Sequence, residues 1–332
     1  MLRRLAATVL ICSSAGAVAQ QADSTLAIVD PLTATIDYRD AQRFAELWKR
    51  TGGQPSAAQI QSDYIQSGGH GVRIFTPNRI IDAANMEKQI AANRGLYQQA
   101  VGTCLEWIPD AVPDLRSIYL AMRGLLPEKP LPQIYIVFGG ANSGGTAGPG
   151  AQVLGLEILC RDARTRPQFR ESLRGYFAHE TIHTFQKEPP PEKANAEPLL
   201  RQMLVEGGAD YIASLVTGGL PNPDRDAFAR AHEAEIWAQF VKDRAIANRG
   251  FDNQKGFTKA GESAFSRWFY SDQGLPAGWK PDMGYWLGLQ IAKAYVERAA
   301  DPHAAIRELL ALDDPAEILA KSGYAARIRS VR

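Results

Sequence analysis

Three consecutive prolines, Pro189, Pro190 and Pro191, stand between two long stretches of helix-forming composition, RPQFRESLRGYFAHETIHTFQK and LLRQMLVEGGADYIASLVTG. Proline lacks the amide a helix needs and its ring clashes with the preceding turn, so the first helix has to stop there and the chain has to reverse. The spacing therefore predicts two adjacent antiparallel helices within residues 166–217.

Upstream, DAQRFAELWKR, SAAQIQSDYIQS, the run from Ile80 to Cys104 and AVPDLRSIYLAMRGLL carry apolar residues at helical spacing. The pattern changes at Gln133. QIYIVFGG and AQVLGLEILC read as two strands, and the turn between them, GGANSGGTAGPG, holds six glycines in twelve residues, so it can bend sharply or lie close to a ligand. It is not a phosphate loop, because it lacks the terminal Lys-Ser/Thr and precedes a strand rather than a helix. Further helices are expected at DRDAFARAHEAEIWAQFVKDRA, MGYWLGLQIAKAYVERA, HAAIRELLAL and PAEILAKSG. The fold class is α+β, predominantly helical with a small sheet. Residues 37–128 form an N-terminal helical region and 129–332 a second domain, with strands in 133–160 and C-terminal helices in 224–324.

The first stretch, MLRRLAATVLICSSAGAVAQ, combines Arg3 and Arg4, a short apolar run and small residues ending in Ala17-Val18-Ala19, the layout of a secretory signal peptide. Residues 1–19 are expected to be removed, leaving a polar leader over 20–36 and a periplasmic or secreted chain with no membrane span. Cys12 follows bulky Leu10 and Ile11 where a lipid-anchor signal wants small residues. Removing two arginines from 37 basic residues leaves 35 against 36 acidic ones, a net charge of −1 that argues against nucleic acid as partner. Cys104 and Cys160 remain, either bridged in an oxidising compartment or present as two buried thiols.

The sharpest chemical signal is His179-Glu180-Thr181-Ile182-His183. Helix positions i and i+4 lie about 40° apart around the axis and ~6 Å along it, so both imidazoles can converge on one ion. Zinc takes three protein ligands in a catalytic site and leaves another position to water. Glu180 is turned about 100° from His179, which suits it to face that water as general base. The apolar residues Phe169, Leu173 and Tyr176 on one side of the helix, with Ala178, Ile182 and Phe185 on the other, predict a buried helix in which Glu180 needs a positive neighbour. A third ligand should come from the next helix. Glu206 lies 206 − 183 = 23 residues after His183, room for a helix end, a turn and the return. Asp210, one turn on, can accept the free N–H of a liganding histidine. Gly207 and Gly208 each cost about 1 kcal/mol in a helix, a penalty that close approach of two backbones would justify. His70, His232 and His303 have no comparable company.

The combination His179-Glu180-x-x-His183 with Glu206-x-x-x-Asp210 resembles the gluzincin clan of zinc peptidases, which includes thermolysin. The likeness covers about fifty residues. It implies Zn2+ on His179, His183 and Glu206, Glu180 activating water, and Asp210 orienting the first histidine. A looser likeness, carried by FGGANSGGTAGPG, MGYWLG and the ending SGY, is to a family of exported zinc-dependent proteases with poorly defined substrates. Two weaker implications follow. AQVLGLEIL would be the edge strand that binds an extended peptide. Tyr285, with Tyr211 and Tyr324 as rivals, would donate to the oxyanion. The expected function is thus an exported zinc metallopeptidase acting on a peptide or protein substrate. Its rivals are a non-catalytic zinc-binding module and a zinc hydrolase of a non-peptide amide or ester.

Overall fold

The computed structural model describes residues 29–189, 197–252, 255–269 and 274–330. The expected signal peptide and its cleavage point lie outside them, as do Pro190 and Pro191. The first described elements are β1 (Ile36–Asp37), α1 (Arg39–Arg50), α2 (Ala57–Ile60), α3 (His70–Phe75), α4 (Ala83–Ala92), α5 (Arg94–Gly102) and α6 (Val112–Leu125). In α1 the apolar stripe Phe44, Leu47 and Trp48 is buried, and Lys49 and Arg50 meet the negative end of the helix dipole. The run from Ile80 to Cys104 is interrupted at Asn93, whose side-chain amide bonds back to the Gln89 carbonyl as the helix ends. Pro109 lies inside a 3₁₀ segment, Cys104–Ala111, which leads into α6.

The sheet is formed by β1, β2 (Gln133–Val137), β3 (Gly145–Gly148) and β4 (Ala151–Gly155) in the order β1-β2-β4-β3. Its first two pairings are parallel, Ile36 opposite Ile134 and Gln133 opposite Ala151, and the last is antiparallel, Gly145 opposite Leu154. Three strand expectations need correction. AQVLG is an interior strand, buried at all five positions, and not the edge. The edges are β1 and β3, and β3 is cut from the glycine-rich stretch read above as a turn; GTAG has too little side chain to show a strand's alternation. Gly145 is there for space: a Cβ would fall 2.7 Å from Glu180 Cδ. LEIL, read as the end of that strand, is a single helical turn, α7 (Leu156–Leu159).

The chain continues through α8 (Arg166–Phe185), α9 (Pro198–Thr217), α10 (Pro223–Ala231), α11 (Glu233–Gly250), the ribbon β5 (Phe251–Asp252) and β6 (Gly256–Phe257), α12 (Lys259–Ser266), α13 (Met283–Arg298), α14 (Pro302–Ala311), α15 (Pro315–Ser322) and α16 (Tyr324–Ser330). Residues 224–245, read as one helix, divide at His232, which leaves the helical conformation. The fold is therefore mostly helical with a small mixed sheet, and one hydrophobic core runs from Ala34 to Ile328. No helix among the described residues is long and apolar enough to cross a membrane.

Three devices fix the central helices. Buried Gln152 of β4 donates to the Tyr176 carbonyl at 2.7 Å and accepts from Thr181 Oγ1 at 2.9 Å, locking α8 onto the sheet. Gly207 of α9 and Gly288 of α13 meet backbone to backbone, since a Cβ on either would fall far inside contact distance of the other helix. Gly208 has open space beside it, so the close approach explains only the first glycine of the pair. A disulfide joins Cys104 to Cys160, with Cα atoms 5.9 Å apart, and ties the N-terminal helices to the entry of α8.

Candidate metal centre

Helix α8 starts at an N-cap, Thr165, with Pro167 in its first turn, and runs to Phe185. Its last two turns carry His179, Glu180 and His183. Helix α9 starts at Glu197, whose carboxylate is held by Arg244, and brings Glu206 and Asp210 alongside. The structure thus brings four of the singled-out side chains into one cluster. His179 Nε2 and His183 Nε2 lie 3.0 Å apart, and each is 3.4 Å from Glu206 Oε2. Three ligands on the face of a tetrahedron around an ion with ~2.0–2.1 Å bonds are separated by about 3.3 Å. The triangle has the size of one face of such a tetrahedron.

The outer partners fix which ring nitrogens face the centre. His179 Nδ1 donates to Asp210 Oδ1 at 2.8 Å, and Asp210 Oδ2 accepts from Arg225 Nη2 of α10 at 2.8 Å. His183 Nδ1 donates to Gln186 Oε1 at 2.7 Å, while Gln186 Nε2 donates to the Val205 carbonyl at 2.8 Å. A carboxylate and an amide oxygen only accept, so in neutral imidazoles the protons sit on Nδ1 and both Nε2 atoms present lone pairs. Gln202 Nε2 donates to Glu206 Oε1 at 3.0 Å and leaves Oε2 as the inward oxygen. Three electron-rich atoms converge, an arrangement that calls for a cation or a proton.

Charge at the centre follows the same logic. Burial pushes His179 down, but hydrogen bonds to Asp210 and Glu206 overcome it and raise the ring well above its usual range. His183 is shifted upward in the same way, chiefly by Glu206. Burial pushes Glu206 up, and the two imidazoles outweigh it and hold the carboxyl well below normal. The site prefers positive charge.

Glu180 is half-buried, not enclosed as the apolar helix pattern suggested, and lies against Gly145 of β3. The ring of Tyr285 stacks beside His179, 6.0 Å between centroids, with the Arg225 guanidinium 5.3 Å above it. Tyr324 is remote in role: its buried hydroxyl donates to Glu233. Tyr211 is also buried. His70 bonds to the Pro149 carbonyl, His232 stacks on Phe228, and His303 is exposed. Gln186, Gln202 and Arg225 went unremarked in the sequence. Gln186 carried one signal, its place three residues after His183, where a helix end can turn a side chain back onto the ring.

No curated protein and no solved structure matches this chain. A family model does match, over residues 76–326, and its description is gliding motility protein GldB. This overturns the likeness to gluzincins and to exported zinc-dependent proteases, and with it the zinc metallopeptidase function, for no peptidase family matches. The His-Glu-x-x-His spacing misled because histidines at i and i+4 of one helix converge whatever chemistry surrounds them. The matched region takes in α8, α9, α10 and α13 and covers well over half of the sequence, so the chain belongs to the GldB family of gliding motility proteins.

Proposed function

We propose that this chain is an exported gliding motility protein, freed of its leader near Ala19, that holds one zinc ion on His179, His183 and Glu206. The motility role rests on the family match across residues 76–326. Export is supported by the arginine-led apolar start and by the bridged cysteines, which persist in oxidising compartments. The observation that carries the metal is the convergence of three acceptor atoms within 3.4 Å, with both imidazole tautomers fixed from behind by Asp210 and Gln186. When bound, zinc supplies positive charge between helices α8 and α9. The chain's own part is to orient the rings and keep Glu206 ionised.

The test has two arms. Purified mature protein is expected to carry about one zinc per chain by elemental analysis; protein that stays metal-free after incubation with zinc sinks the metal assignment. A deletion strain should lose surface spreading and regain it with the wild-type gene. Normal spreading of the deletion strain would remove the motility role.

A further inference from the structure

A second buried carboxylate lies away from the metal cluster. Glu157, on α7, is wholly buried and reaches the turn that follows β2. Its oxygens accept from the Gly139 amide at 3.0 and 3.1 Å and from the Ala141 amide at 3.2 Å. Ala141 is held at φ 57°, a left-handed conformation that non-glycine residues seldom adopt, which curls the amides inward around the carboxylate. The Phe75 ring covers the same turn. Around it, Tyr64 bonds to both the carbonyl and the amide of Phe138, Tyr97 donates to the Gly139 carbonyl, and Gly140 donates to the Arg79 carbonyl.

The turn leads straight to the candidate centre. Gly144 lies under the Tyr176 ring, and Gly145 abuts the Glu180 carboxylate, one residue from His179. A shift of residues 138–144 therefore moves the edge strand that lies against Glu180. We infer that Glu157 is a proton-operated latch on the glycine-rich turn, and that its protonation state governs access to the centre from a group that touches none of the ligands. The latch itself stands independently of the metal; the effect on access rests on the zinc reading.

The direction follows from linkage. Burial raises Glu157, and the amides of its own backbone, Gly139 and Ala141 only partly offset this, leaving it at about 7. Of the other groups that face it, Tyr64 and Tyr97 are phenols raised by burial, and Arg161 lies at the surface. When the turn lifts and water reaches the carboxyl, its affinity for the proton returns toward 4.5. Between these values the closed turn holds a proton that the open turn releases. Closure is thus strongest in acid, weakens as pH rises through the window and levels off above it.

Hydrogen exchange of the Gly139 and Ala141 amides tests this in the purified full chain. After correction for intrinsic chemistry, protection should fall roughly thirtyfold from about pH 5.5 to about pH 8 in wild type, and stay level in Glu157→Gln. Flat protection in wild type, or the same fall in the variant, overturns the latch. Should the variant not fold, carbon-13 titration of the wild-type carboxyl decides: a midpoint near that of a free glutamate overturns it. The rate of zinc entry should rise more steeply over the same interval in wild type than in the variant, since the histidine ligands shed protons in both. Equal pH dependence in both proteins would disconnect the turn from the centre, while a chain that takes up no zinc fails the metal reading and leaves the exchange result to judge the latch.

Discussion

Glu157 and Glu206 are both glutamates in the interior, and burial pushes both toward the neutral form, yet they end on opposite sides of the ordinary range. Around Glu157 the partners are backbone amides, dipoles that stabilise the anion only in part, and the carboxyl is left near neutrality. Around Glu206 two imidazoles face the same oxygen and can bring full charge. The nature of the partner, and not the depth of burial, separates a carboxyl raised to about 7 from one held well below its ordinary range.

Breaking the Glu157 side should have the largest effect on stability. Replacing Cys104 and Cys160 by serine opens a bridge across 56 residues and is expected to cost about 4 kcal/mol by the loop-entropy model, seen as a lower calorimetric midpoint. Zinc content should be unchanged, and its loss would show that the two regions are not separate. On the other side, Glu206→Ala should weaken zinc by more than about a hundredfold in chelator competition, exceeding the usual effect of an outer partner. An unaltered affinity would remove Glu206 from the centre. Gly288→Ala forces α13 away from α9 and should destabilise by about 2–3 kcal/mol in urea unfolding. Gln186→Leu takes the acceptor from His183 and should weaken zinc about tenfold with little change in fold. Gly208→Ala, with open space around it, should stabilise by up to about 1 kcal/mol, and a loss there would reveal a contact the structure lacks.

The helix pair was legible because prolines and 3.6-residue spacing are local signals, and the convergence of His179, His183, Glu206 and Asp210 followed from i, i+4 geometry on two adjacent rods. What escaped was non-local. The edge strand hid in GTAG, whose small side chains carry no pattern, and the interior place of AQVLG depends on a neighbour that only the fold supplies. Gln186 and Arg225 act through partners on other helices, which no spacing rule connects. The pairing of Cys104 with Cys160 required their helices to be packed first. Function was the least legible, because a triangle of converging side chains says nothing of what the surrounding protein was selected to do.

The hydroxyl of Tyr64, which bridges both backbone groups of Phe138, precedes the first family-matched residue by twelve positions, and the β1 strand that lines β2 lies earlier still. A fragment trimmed to residues 76–326 would leave β2 with a bare flank and slacken the hairpin beside Glu180. The preface to the shared region is a foundation, and excising it should produce a sticky, loosely set sheet rather than a minimal working module.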